Sequence, residues 1–205
     1  MNGKTHMLVG IGGGIITGAV LYKAGIFAMP DVAATIACSA VGSYIPDIDH
    51  TGSVAGRKAP LLSWPIKGLA NLFDWLYDTT KIKLFKKLSG MFTHRGIFHA
   101  PLFWALIFVP LFLFLVPAIE EPFIQSTLRA GLIGLLLGVG LHLFADMLNP
   151  TGIPLFMPIH DKKYRLARIV TGSTGELIFK IVVILALIVI GIISFALMQG
   201  GTYGI

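Results

Sequence analysis

Cysteine is almost missing from this chain: Cys38 is the only one in 205 residues. A single thiol excludes an internal disulfide and a thiolate metal cluster, and its apolar surroundings make it a packing residue. Charge is scarce too, at 13% of residues, and acidic residues are the rarer kind, ten Asp and Glu against sixteen Lys and Arg. With 55% hydrophobic residues and a mean hydropathy of +0.82, the chain lies outside the range of soluble domains, and lipid is expected to be the solvent for much of it. The net charge of +6 does not require nucleic acid, because the basic residues stand in loops between apolar stretches, where anionic lipid headgroups are the natural partner. The length suits one helical bundle and leaves too little for a second domain of ordinary size. Residues 1–205 are therefore expected to form a single integral-membrane domain with a cytoplasmic loop around 46–96.

Five segments read as membrane helices, an all-α polytopic bundle. Ala100–Val116 and Ile181–Met198 are long and apolar, and Ala130–Leu148 matches them except for His142 and Asp146 near its end. Met7–Tyr22 and Val32–Ile45 fall short of the ~20 residues that a hydrocarbon core of about 30 Å needs. Their small residues favour close packing: Gly10, Gly14 and Gly18 repeat on one face, and Ala33, Ala34, Ala37 and Ala40 are expected to supply small contacts. The same pattern accounts for Gly10–Gly14 without a phosphate-binding loop, since no strand precedes it. Lys23–Pro30 reads as a turn with no small-residue cleavage site, so the first span is expected to be retained.

Fourteen of the sixteen Lys and Arg fall on one side of this topology: Lys4, eight between Pro46 and Gly96, and five between Asn149 and Lys180. Only Lys23 and Arg129 fall on the other, which places the N-terminus inside and the C-terminus outside the cell. Lys81–Leu88 mixes basic and apolar residues and is expected to lie on the inner leaflet, with Trp64 and Trp75 as interfacial anchors.

On this topology the unusual polar residues converge. His6 opens the first span, Asp47, Asp49 and His50 close the second, His94 and His99 open the third, and His142 and Asp146 close the fourth. All reach the cytoplasmic side, although the topology was drawn from apolar length and Lys/Arg counts alone. His142 and Asp146 are four residues apart, so one helix face presents both. Ionisable groups within a span are costly unless they serve a cavity or a partner. A structural hydrogen bond between helices is the alternative for that pair, and capping is the alternative for the aspartates after Pro46. His94-Arg95-Gly96-Ile97-Phe98-His99 brings two imidazoles with an arginine and a permissive glycine.

The candidate metal ligands are therefore His6, Asp47, Asp49, His94, His99, His142 and Asp146. Mixed imidazole and carboxylate ligation suits zinc, with manganese or iron as alternatives. Seven ligands exceed one tetrahedral shell, so one or two ions are expected, with an aspartate bridging a pair about 3.5 to 4 Å apart. A metal lowers the pKa of bound water to about 7 and so supplies a nucleophile. Arg95 suits either a phosphoryl oxygen or a lipid headgroup. Glu176, after Thr171-Gly-Ser-Thr-Gly, suits either a general base or extra ligand, or the start of the last helix.

These residues carry a resemblance. Thr5-His6, Ile45-Pro-Asp-Ile-Asp-His50, His94-Arg-Gly-x-x-His99 and His142-x-x-x-Asp-Met-Leu-x-Pro-x-Gly152 together resemble the YdjM-type family of LexA-regulated inner-membrane metal-dependent hydrolases, across residues 5–152. The third motif departs at Phe98, where relatives carry threonine, and leaves the ligands in place. The resemblance implies a membrane-embedded hydrolase. The helical His and Asp set is also distantly similar to zinc-dependent phospholipase C. Hydrolysis of a phosphoester in a lipid or lipid-linked substrate at the cytoplasmic face is the expected function, with membrane lipids as partners. A transporter would need polar residues along a path through the bilayer, and the outer halves of these spans read as apolar. A structural protein whose metal staples helix ends would need a closed coordination shell.

Overall fold

A computed structural model describes the backbone of residues 1–200 and the side chains of residues 1–192. Helix α1 (Gly3–Lys23) starts at Asn2, whose side chain accepts from the Thr5 backbone N–H at 3.0 Å. Helix α2 (Met29–Gly42) carries Pro30 in its first turn, and Asp31 accepts from the Ala28 N–H at 2.9 Å. Helix α7 (Pro122–Met147) has proline at its first position and a Glu121 cap on the Ile124 N–H. Helix α8 (Thr174–Gly200) closes the order, and residues 193–198 of the expected last span lie outside those whose side chains are described. Among the described residues there is no strand, only one isolated bridge between Ile153 and Tyr164.

Among the described residues, three helices are long and apolar enough to cross a membrane: Gly3–Lys23, Pro122–Met147 and Thr174–Ile192. The other two of the five expected spans are shorter helices. Helix α2 has 14 residues, about 21 Å at 1.5 Å per residue. Helix α6 (Pro101–Pro110) continues only as a π-helical turn, Leu111–Leu115. Prolines set those limits: Pro101 starts α6, Pro110 removes one backbone donor, and Pro117 prevents continuation. The segment expected as a loop is itself mostly helical, with α3 (Val54–Lys58), α4 (Pro60–Thr80) and α5 (Lys83–Met91). Helices α4 and α5 are joined by Lys86–Asp74 at 3.1 Å and by Phe73 stacked on Phe85.

Helix α2 lies between α1 and α7, and small residues allow the approach from both sides. The Gly10, Gly14 and Gly18 face of α1 meets α2: a Cβ on Gly14 would stand 2.9 Å from the Ile36 Cα. Helix α7 adds a second stripe, since a Cβ on Gly134 or Gly138 would run into the Thr35 or Ser39 carbonyl oxygen. The buried residues of α2 are Asp31, Thr35, Ser39 and Gly42; Ala33 and Ala37 are exposed, which corrects the expectation for those two, and Ala34 and Ala40 are half-buried. Each hydroxyl there places its own donor on a backbone carbonyl, a partner that lipid does not supply. Ser39 donates to the Gly10 carbonyl at 2.7 Å, and Thr35 to that of Asp31 at 2.9 Å. On the other side of α7, Trp104, Phe108, Leu132, Val139 and Leu143 form the apolar core with Ile153. The Trp104 indole donates to the Phe98 carbonyl at 2.8 Å and so ties α6 to the turn that holds His99.

Gly138→Ala is expected to destabilise the folded protein by about 1–3 kcal/mol, because the Ser39 carbonyl must move to admit the methyl. Gly140→Ala, with nothing within 4 Å, is expected to leave the folded protein no less stable, with a gain of up to about 1 kcal/mol from helix propensity. Thermal unfolding of the detergent-solubilised protein measures both.

Candidate metal centre

Four separate segments meet at one end of the bundle. In the first, α1 brings His6. In the second, buried Pro46 starts a 3₁₀ turn, Ile45–Asp49, and Ser53 donates to the Asp47 carbonyl at 2.7 Å, so Asp47 and Asp49 are set by irregular but satisfied backbone. In the third, the chain from His94 to His99 is forced tight: Arg95 has φ +61°, a left-handed conformation uncommon outside glycine. A Cβ on Gly96 would overlap the Met91 carbonyl. This turn puts the His94 and His99 rings edge to face with centroids 5.4 Å apart. In the fourth, the last turn of α7 carries His142 and Asp146, both 1% exposed.

Asp47, His99, His142 and Asp146 each offer one ligand atom within 4.8 Å of the other three. His99 Nε2 stands 3.5 Å from Asp47 Oδ1 and 3.4 Å from Asp146 Oδ2; His142 Nε2 stands 3.6 Å and 3.8 Å from the same oxygens. Ligands about 2.1 Å from a tetrahedral zinc are separated by about 3.4 Å, so the set is close to a metal shell without rearrangement. Both Nε2 atoms are buried and have no hydrogen-bond partner. An imidazole nitrogen left so costs free energy unless something binds there.

The other nitrogen of His142 fixes that ring by a hydrogen bond, and that of His99 faces a carboxylate without one. His142 Nδ1 lies 2.7 Å from the Ser43 carbonyl, which only accepts, so the proton sits on Nδ1 and the Nε2 lone pair faces the cluster. His99 Nδ1 faces Asp49 Oδ2 at 3.6 Å, and Asp49 Oδ1 lies 3.2 Å from His94 Nδ1. Asp49 thus stands behind His99, in the place of an orienting carboxylate. Asp146 divides its oxygens: Oδ2 faces the two imidazoles, while Oδ1 accepts from Arg95 Nη2 at 3.1 Å and lies 3.5 Å from His6 Nε2. His6 stacks on His142 with centroids 3.8 Å apart, beside the four-atom set rather than in it.

The cluster is built for a cation. Burial alone would push the His99 imidazolium down, but the facing Asp146, Asp47 and Asp49 carboxylates hold its pKa up to about 10. Burial would raise Asp47, yet the facing His99, His142 and His6 rings hold its carboxyl well below the usual range. Asp47, Asp49 and His94 form a second group of close ligand atoms, more exposed than the first and sharing Asp47 with it.

Arg95 and Glu176, singled out from sequence for chemistry, have different surroundings. Arg95 lines a 250 Å³ cavity that also reaches His6, Asp47, His94 and Asp146. Both oxygens of Glu176 are engaged away from the ligand set. Oε1 accepts from the Asn2 N–H at 2.8 Å and from the Thr5 hydroxyl at 2.5 Å, and Oε2 from the Gly172 N–H at 2.6 Å. It binds α8 to the start of α1, next to His6. Asn149, read from sequence as part of a turn, has its amide 3.1 Å from Arg95 Nη2 and 3.2 Å from the Thr171 hydroxyl, and the orientation that suits the Arg95 donor turns its oxygen to both. The signal for it was position: three residues past Asp146 and two past the end of α7, it stays at the same end of the bundle. The role of Ser43 had no sequence signal, because only its backbone carbonyl acts.

The family model of the YdjM inner membrane protein matches residues 1–202, which include all four segments of the centre. The chain belongs to the YdjM inner membrane protein family. Within reach of it are YvsG of Bacillus subtilis (strain 168), 31% identical over 176 residues that cover 86% of this chain and 85% of that one. The YdjM proteins of Escherichia coli (strain K12) and Shigella flexneri are each 31% identical over 133 residues, 65% of this chain and 53% of theirs. The chain thus matches about half the length of those two. YdjM membership agrees with the three long apolar helices and makes this a membrane protein. No solved structure matches the chain, and the likeness to zinc-dependent phospholipase C rests on the motifs alone.

Elemental analysis of protein purified without chelator is expected to show bound divalent metal, lost in His142→Ala and in Asp146→Ala. Asp49→Asn keeps every atom of the four-ligand set and is expected to weaken metal affinity by about 10- to 100-fold without abolishing it. Wild-type affinity in Asp49→Asn would show that His99 is not oriented through that carboxylate.

Proposed function

We propose that this YdjM-family protein is a metal-dependent hydrolase that cleaves a phosphoester at the cytoplasmic face of the inner membrane. The observation that supports it best is the buried set Asp47, His99, His142 and Asp146, with unpartnered Nε2 atoms, beside a 250 Å³ cavity that reaches Asp47 and Asp146. A staple would have its ligands closed off from any cavity. Zinc fits the donors first, and manganese or iron next. The common use of Asp47 by both ligand groups favours a second, weaker ion at Asp47, Asp49 and His94.

When bound, the metal polarises the ester and activates water. The chain's own residues do the rest. Ser43 and Asp49 hold the two imidazoles with Nε2 inward. Arg95 steadies Asp146 through Oδ1 and, from the cavity wall, presents a permanently charged guanidinium to a phosphoryl oxygen. Asn149 keeps that guanidinium in place. Glu176 anchors Thr5, and with it His6, and has a positioning role in this scheme. The Lys and Arg asymmetry orients the N-terminus inward, and α2 and α6 complete a five-segment multi-pass bundle around the three long helices.

The transporter alternative needs a polar path. Helix α2 does hold one buried polar row, Asp31, Thr35, Ser39 and Ser43, which corrects the expectation of apolar outer halves. Each member is satisfied, however. Asp31 accepts from Ser126 at 2.9 Å and Thr127 at 3.2 Å, and the three hydroxyls donate to backbone carbonyls. Such a row serves helix packing.

Metal-loaded protein is expected to release 4-nitrophenol from bis(4-nitrophenyl) phosphate, and chelation is expected to stop it. Arg95→Ala should lower kcat by about a hundredfold, and Arg95→Lys should not restore it, because an ammonium lacks the planar fork. Absence of metal-dependent release from any phosphomonoester or phosphodiester tried would overturn the reading.

A further inference from the structure

The polar cavity at the metal centre does not stand alone. Tyr44 and Val54 line it and also line a second cavity of 410 Å³. The two cavities thus share a wall. The second is apolar, with Val41, Ile45, Ile48 and Ala55 on its sides and Met7 at one edge. The Tyr44 hydroxyl donates to Met7 Sδ at 3.1 Å across this partition. Met7 is 38% exposed and Val41 56%, so the groove opens outward along the flanks of α1 and α2. Helix α1 is one of the helices long and apolar enough to cross a membrane, and with α1 embedded a hydrocarbon chain enters along its flank without crossing water.

Charge at the seam selects what such a chain carries. Arg57 and Lys58 follow each other on α3, Arg57 lining the polar cavity and Lys58 the apolar one. Arg57 donates to the Gly52 carbonyl and forms no ion pair among the described residues. Together with Arg95 it puts cationic groups around the polar cavity, next to the metal ligands.

Resting on the hydrolase reading above, we infer that the two cavities are the halves of one site for a phosphate-bearing lipid. The phosphate lies in the polar half against Arg57 and Arg95, and one hydrocarbon chain lies in the groove over Val41 and Ile48. Tyr44 is the step between the halves. A phosphate without a chain would leave the groove unfilled, and a chain without phosphate would leave Arg57 and Lys58 uncompensated.

The test is binding of hexadecylphosphonic acid, whose C–P bond resists hydrolysis, to the metal-loaded full chain in detergent, read by native mass spectrometry. One molecule per chain is expected, with methylphosphonic acid and hexadecanol each about tenfold weaker or worse, as loss of about 1.4 kcal/mol or more from either half requires. Val41→Trp and Ala55→Trp fill the groove and should weaken binding by a similar factor. Ala33→Trp, on an exposed face of α2, should not. Retained metal content in each variant shows that the fold stands, and Arg57→Ala, at an exposed side chain, probes the polar half without touching the packing. Binding of methylphosphonic acid as tight as that of the long-chain probe, or unchanged binding in both tryptophan variants, would overturn the lipid site. The two readings fail separately. Chain-dependent binding in a protein that hydrolyses no phosphoester removes the hydrolase and keeps the groove, while hydrolysis of chainless diesters without chain-dependent binding does the reverse.

Discussion

The balance of charge around Asp146 is the constraint from which the rest of the structure follows. This carboxylate is 1% exposed at the end of a helix with an apolar body, and burying an ion there costs several kcal/mol unless it is paired and fully hydrogen-bonded. One of its oxygens accepts from Arg95, and the other faces the His99 and His142 rings. Asp47 and Asp49 add negative charge within the same few ångströms. Three carboxylates around buried imidazoles gather negative charge, and with the inward Nε2 atoms they make a donor set that could hold a metal ion.

Bringing these groups together depends on how closely the helices approach. The Ser43 carbonyl reaches His142 only because the glycine stripe of α7 lets its backbone come against α2, and Gly10 does the same for α1. Larger residues on either stripe would separate α1 from α7 and take His6 away from His142. Packing and chemistry are therefore coupled in one layer: the small residues that hold the bundle together also set the distances between ligands. Glu176 extends the coupling to α8 by fixing the first turn of α1.

The location of the centre gives it two kinds of neighbour. Towards the aqueous side lie basic residues, Arg57 and Arg95 at one cavity and Lys87 and Lys163 at the next. Towards the bundle flank lies an apolar groove that shares Tyr44 with the polar cavity. A site at this boundary can meet an amphiphile in the orientation that a bilayer already imposes, with no need to extract it.

Much of this was legible in the order of residues. The apolar lengths, the Lys and Arg asymmetry and the four polar motifs at corresponding ends of spans pointed to one site at one end of a helical membrane bundle, because a helix axis converts sequence position into depth. The four-residue spacing of His142 and Asp146 set them on one face for the same reason. Three-dimensional contact decided the rest. That Thr35 and Ser39 rather than the alanines meet the glycine stripes, that α2 and α6 stop short, and that a polar row runs inside α2 depend on rotation about each helix axis and on neighbours remote in sequence. The division among Asp47, His99, His142 and Asp146 on one hand and His6, Asp49 and His94 on the other was decided in the same way. So were the Ser43 carbonyl behind His142 and the Asn149 amide against Arg95. Sequence determined which chemical groups reach the end of the bundle, since depth is a one-dimensional property; which atoms face one another across it was left to the tertiary structure, since ligand direction is not.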